Sequence, residues 1–149
     1  MEIKEILYQK CKDFVDKRLQ TVQEIISSNQ KALQSETKSS AGDKHETGRA
    51  MLQLEMEKAS QQLVGISQMQ QILSKINITK TTKNVHLGSI IKTDKANYFL
   101  VISAGKLVAF DEEYYAISVS SPIGKLLLGK QEGDVLTLNA QTIKIKEII

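Results

Sequence analysis

The chain has no tryptophan, one proline and one cysteine among its 149 residues, and only 5% of them are aromatic. Each scarcity removes a class of function. So few rings leave little material for a base-stacking platform of the kind that binds single-stranded nucleic acid, and too little to line a prolyl-isomerase pocket. The single cysteine, Cys11, permits neither a disulfide framework nor a cysteine cluster for a metal. Its place in a helical apolar pattern reads as a small core residue rather than a nucleophile. No run approaches the roughly 18 apolar residues of a membrane span, and the opening Met1-Glu2-Ile3-Lys4-Glu5 lacks the apolar stretch of a signal peptide. The expectation is a soluble, cytoplasmic protein with no membrane partner. An excess of one charge is also missing. The net charge is +3, with 11 basic against 10 acidic residues up to Ile78 and 9 against 7 beyond it, so charge alone does not argue nucleic-acid binding. There is no Gly-rich phosphate loop, no Ser/His/Asp grouping and no zinc-ligand spacing. The residues point to a partner protein rather than to a self-sufficient enzyme.

What is present, first, is periodicity. Val15, Leu19, Val22, Ile26, Asn29 and Leu33 recur at alternating steps of 4 and 3, and Leu52, Met56, Ala59, Leu63, Ile66, Gln70 and Leu73 do the same. That is heptad spacing. Set antiparallel, Leu33 meets Leu52, Asn29 meets Met56 and Val22 meets Leu63, and the two positions of every such pair add to 85. A shared mirror point between Gly42 and Asp43 predicts one antiparallel coiled-coil hairpin over residues 1–78, with Ser35 to Gly42 as its polar turn. Each arm of about 30 residues would make a rod of roughly 45 Å. Asn29 on the seam is a buried polar residue of the type that fixes register, and Gly65 weakens the second helix by about 1 kcal/mol relative to Ala. A second apolar set, Leu7, Cys11, Phe14 and Ile25, widens the stripe near the base and predicts that the hairpin root packs on something else in the chain.

After Asn77 the period changes to 2. Val85–Ile91, Tyr98–Ile102, Lys106–Phe110, Tyr115–Val119, Val135–Leu138 and Thr142–Ile148 read as strands of an antiparallel sheet, separated by turn-rich stretches. One short helix interrupts them, with Ser121 as N-cap, Pro122 at the first helical position and Gly129 closing its C-terminus. The fold class expected is α+β, with the hairpin followed by a small sheet domain over residues 79–149.

Two carboxylates stand three residues apart at the hairpin tip, Gly42-Asp43-Lys44-His45-Glu46. One reading is a capping box, with Asp43 at the N-cap and Glu46 at N3 of the second helix. The other is an exposed pair sharing a divalent cation, since Mg²⁺ is held by one or two carboxylates with water and substrate phosphate completing the shell. His45, between them, reads as solvated, and His86 as structural.

The stretch Ser121-Pro122-Ile123-Gly124-Lys125-Leu126-Leu127-Leu128-Gly129-Lys130-Gln131-Glu132-Gly133-Asp134 resembles the hallmark segment of the C-terminal domain in the bacterial transcript cleavage factors GreA and GreB. The tip is similar to that family's Gly-Asp-x-x-Glu pattern, so the resemblance covers nearly the whole chain. It implies an FKBP-like C-terminal domain that docks on RNA polymerase while the hairpin enters the secondary channel. In that setting Asp43 and Glu46 would assist catalysis by helping to hold a Mg²⁺ shared with the polymerase at the RNA 3′ end. Ser121, Pro122, Lys125 and Lys130 would contact the polymerase, with a weak DNA contact besides. The protein would be an accessory factor, stimulating cleavage of backtracked RNA by the polymerase itself. Where the family's tip usually continues with Asn, a small residue and Glu-Tyr, this chain has Thr47-Gly48-Arg49-Ala50. That departure keeps open a second reading, a non-catalytic relative that occupies the channel and modulates transcription.

Overall fold

The computed structural model describes the backbone of residues 2–38 and 42–149 and the side chains of residues 2–35 and 47–149. Two long helices, α1 (Glu2–Lys38) and α2 (Gly42–Ser74), precede six strands and one short helix. The strands are β1 (Ile90–Thr93), β2 (Asn97–Val101), β3 (Gly105–Ala109), β4 (Glu112–Ser118), β5 (Val135–Leu138) and β6 (Gln141–Ile148), with α3 (Pro122–Leu127) between β4 and β5. The class is α+β. Among the described residues no helix is long and apolar enough to cross a membrane.

The chain divides into two compact units. Residues 15–70 form the first, in which α1 and α2 pack on each other. Val15, Val22, Asn29, Ala59 and Ile66 are buried, while Leu19, Ile26, Leu33, Leu52, Met56 and Leu63 are half-buried. Those are the heptad positions, and the alternation follows because residues at 3.5 spacing turn toward the partner helix while their neighbours face water. Gln70, on the same stripe, is exposed. Of the expected polar turn, Ser35 to Lys38 and Gly42 are helical, since α1 continues through Lys38 and α2 starts at Gly42, while residues 39–41 lie outside the described residues. Ser, Glu, Thr and Lys each cost a helix only a few tenths of a kcal/mol, so a helix already held by its seam propagates through them.

The second unit joins residues 1–14 and 71–149. The root of the hairpin is therefore built into the β-domain, where Leu7 and Cys11 are fully buried. The sheet order is β3-β4-β2-β1-β6-β5. Four of its pairings are antiparallel, but β2 and β4 run parallel. The topology requires this. The chain reverses after β2 and again after β3, and β4 inserts between them, so β4 points the same way as β2. The sheet is thus mixed rather than wholly antiparallel.

Register sorts the side chains into two faces. Ile91, Tyr98, Leu100 and Ile117 lie on one, where Leu127, Ile123 and Leu126 of α3 join a core with Val85, Leu136, Ile143, Ile145 and Ile148. Ile90, Phe99, Val101, Tyr114 and Ala116 lie on the other and are also buried. Both faces being covered explains the near-continuous apolar run Phe99-Leu100-Val101-Ile102.

Two strand expectations shift. Residues 85–89 are not a strand. His86 to Ser89 close a turn through Ser89 N to His86 O at 2.9 Å, and Gly88 supplies φ +96°, which few other residues adopt. Phe110 does not end β3 but forms, with Asp111, a two-residue loop in which both residues have positive φ, the signature of the I′ hairpin turn. Asn139 and Ala140 turn β5 into β6 in the same way.

Candidate functional site

The segment from Ser118 to Asp134 is held by its own backbone. Ser121 Oγ accepts from Gly124 N at 3.1 Å and donates to Ser118 O at 2.6 Å, so one hydroxyl caps α3 and pins it to the end of β4. Pro122 takes the first helical position, where its missing N–H costs nothing. Gly124 is buried so tightly that a β-carbon there would collide with the carbonyl oxygen of Ser118. Gly129 ends α3 at φ +83° and donates to Val85 O at 2.9 Å, while Lys130 O accepts from Val85 N at 2.8 Å. Gly133 donates to Ile145 O, and Asp134 Oδ2 accepts from Gln131 N at 2.8 Å, which sets the turn into β5. Ser121, Pro122, Gly124, Gly129, Gly133 and Asp134 thus each have a local structural task.

What the scaffold leaves outward is the opposite side of α3. Ile123, Leu126 and Leu127 face the core, whereas Pro122, Lys125 and Leu128 are exposed, and Lys130 is half-buried just beyond. Of the four residues expected to contact a partner, Ser121, Pro122 and Lys125 stand on α3 and its cap, while Lys130 follows beyond its end. Ser121 forms the cap, Pro122 and Lys125 are exposed on the helix, and Lys130 follows half-buried. Leu128, 49% exposed, joins them. It escapes sequence reasoning because Leu126-Leu127-Leu128 reads as a single apolar run. An apolar surface with lysines at its margin, on a rigid element, suits docking on a protein.

The tip pair stands elsewhere. Asp43 and Glu46 fall in the first turns of α2, three residues apart on one side of the helix. Their side chains lie outside the described residues, and with them the choice between capping box and metal pair; so does the side chain of His45.

Among the described residues no three His, Cys, Asp or Glu side chains gather as a metal site. Burial pushes the Cys11 thiol up to about 12, so it is a packed core residue and not a nucleophile. His86 is structural, as expected. Its ring is held by Thr82 and Ser89 and is biased toward the neutral form, first by burial and then by the positive charges of Lys4 and Lys80, against the Asn84 carbonyl, which favours the charged ring.

Residues 80–149 match the family model described as Transcription elongation factor, GreA/GreB, C-term. No curated protein and no solved structure matches the chain. The family match takes in the whole Ser118 to Asp134 segment and points to transcription elongation as the process served.

Proposed function

With residues 80–149 belonging to the C-terminal domain family of the GreA/GreB transcription elongation factors, we propose that this protein binds RNA polymerase and stimulates the polymerase's own cleavage of backtracked RNA. The observation that carries the reading is the family match over the domain that contains the α3 surface. Members of that family are accessory factors, and the division of labour here is consistent with such a role. The C-terminal domain supplies a docking surface of Pro122, Lys125, Leu128 and Lys130, and the hairpin supplies the tip.

Two carboxylates in the first turns of α2 are suitable donors for Mg²⁺, a hard cation that prefers oxygen ligands. In the secondary channel Asp43 and Glu46 would hold such an ion weakly, with the polymerase completing its shell at the RNA 3′ end. The ion, once bound, supplies polarisation of an attacking water. The chain's own contribution is to deliver two negative charges on a helix, three residues apart, and to keep them there by docking.

Cleavage of stalled, backtracked complexes at saturating protein tests this, with wild type beside Asp43→Asn and Glu46→Gln. Both replacements remove charge while keeping hydrogen-bond acceptors, so each is expected to abolish stimulated cleavage and leave polymerase binding within about twofold. Wild-type protein that binds without stimulating cleavage would instead establish a channel-occupying modulator, the reading favoured by Thr47-Gly48-Arg49-Ala50 after the carboxylates. Cleavage unaffected by both replacements would place the chemistry elsewhere.

A further inference from the structure

Lys4 is fully buried, although a lysine is among the residues least often found inside a protein. Its ammonium donates to Lys80 O at 2.8 Å, which ties the first turn of α1 to the segment leading into the β-domain. His86 lies on the same connecting segment, six residues after Lys80. Its Nδ1 is 2.9 Å from Thr82 Oγ1, 2.9 Å from Ser89 Oγ and 3.3 Å from Asn84 O, whereas its Nε2 is buried without a hydrogen-bond partner.

The hydrogen bonds around the ring show what a second proton would meet. Ser89 Oγ accepts from His86 N, and Thr82 Oγ1 donates to Asn84 O, so the hydrogen of Ser89 is the one available to Nδ1 of the neutral ring. A doubly protonated ring needs acceptors at both nitrogens. On Nδ1 the added hydrogen could go to Asn84 O, but it would turn away that of Ser89, which is fully buried, and Nε2–H would still face no acceptor. The charges acting on the ring are those of Lys4 from α1 and Lys80 from the connecting segment, both positive. The turn has little room to yield. Gly88 N donates to Leu100 O at 2.7 Å, Leu100 N to Ser89 O at 3.0 Å, and a β-carbon on Gly88 would stand 2.9 Å from Ile76 Cγ2.

We infer that Lys4 and His86 form a proton-sensitive clasp, in which protonation of His86 loosens the anchorage of the first turns of α1 on the β-domain. The closed state binds the proton less well than the open one. The anchorage is therefore complete above the ordinary histidine value, about 6.5, and is lost progressively as pH falls below it.

The test uses the full chain with His45→Gln, which leaves His86 as the one histidine. Its ring is titrated by NMR, and amide protection factors of residues 2–14 are compared with those of β2 at pH 7.5 and 5.5. The expected result is a ring that titrates below the ordinary value. Protection of residues 2–14 should fall by up to tenfold per pH unit, while that of β2 falls less. Lys4→Met removes the facing cation and should raise the ring's midpoint toward the ordinary value. Should that variant fail to fold, His86→Asn, which keeps a polar group at the Nδ1 position, should abolish the pH dependence of residues 2–14. A ring titrating at or above the ordinary value, or protection that falls equally in α1 and β2, overturns the clasp.

Discussion

Tyr8 of α1 donates its phenolic hydrogen to the carbonyl oxygen of Leu73 in α2 at 2.7 Å. Leu73 lies at the C-terminal end of α2, where carbonyls run out of intrahelical partners, and its oxygen is otherwise met by Ile76 N at 3.3 Å. Tyr8→Phe keeps the ring and removes the donor. Urea denaturation should show a loss of about 1 kcal/mol. A change well below half of that would mean that water or Ile76 serves the carbonyl equally well.

Two glycines in helices should respond in opposite directions. Gly65 has nothing within 4 Å of the position a β-carbon would take, so Gly65→Ala should stabilise the hairpin by up to about 1 kcal/mol. At Gly124 the same added methyl meets Ser118 O and Ser121 Oγ. Gly124→Ala should destabilise by about 2–3 kcal/mol, as overpacking does. Thermal melts of the two variants beside wild type check both signs at once.

Asn29 Nδ2 is buried without a hydrogen-bond partner. Its replacement by leucine removes an unsatisfied donor and fills a seam position with an apolar side chain, so Asn29→Leu should raise stability by about 1–2 kcal/mol. The accompanying loss is in register, which a lone polar seam residue specifies. Disulfide trapping between cysteines introduced at paired seam positions should give one product in wild type and more than one in the variant.

Asp94 Oδ1 accepts from Lys144 N at 2.9 Å, and Asp94 N donates to Lys144 O at 3.1 Å, which fixes the β1–β2 turn to β6. The backbone bond from Lys144 is the main cause holding this exposed carboxyl below its ordinary value, with the nearby Lys95 and Lys146 acting in the same direction. A depressed carboxyl contributes stability above its unfolded value of about 4 and loses it as pH falls through the folded value. Asp94→Asn should therefore flatten the acid limb of the stability profile below about pH 5 and lower stability above pH 6 without changing its pH dependence there. Parallel acid limbs would assign the carboxyl no such part.

The hairpin and α3 were legible in the sequence because each is announced by local chemistry. A 3.5-residue apolar stripe needs no knowledge of distant residues, and neither does a Ser-Pro pair opening a helix that ends at Gly129. The sheet edges were less so. Phe110 reads as strand because aromatic residues favour strands, yet the two-residue loop into β4 claims it and leaves its ring 64% exposed at positive φ. The parallel β2–β4 pair depends on where β4 inserts, which no local pattern encodes. Lys4 illustrates the same limit inside a helix. Nothing in Glu2-Ile3-Lys4-Glu5 marks it for burial, because its partner is a backbone carbonyl 76 residues away. On α3 the cap at Ser121 and the helical start at Pro122 could be read from the motif, while the exposure of Leu128 could not, since burial within an apolar triplet is decided by the face that α3 turns to the sheet.

Strand β1 pairs on one side with its neighbour in sequence, β2, and on the other with β6, whose residues 141–148 come at the far end of the domain. During synthesis the ribosome must therefore release β6 before the centre of the sheet can close. Until then the nascent chain carries an open strand edge and an uncovered apolar face, while residues 15–70, a compact unit of α1 and α2, can already pair. Translation thus imposes an order in which residues 15–70 mature first and the β-domain last, and the interval between them is when the growing chain is most exposed to wrong partners.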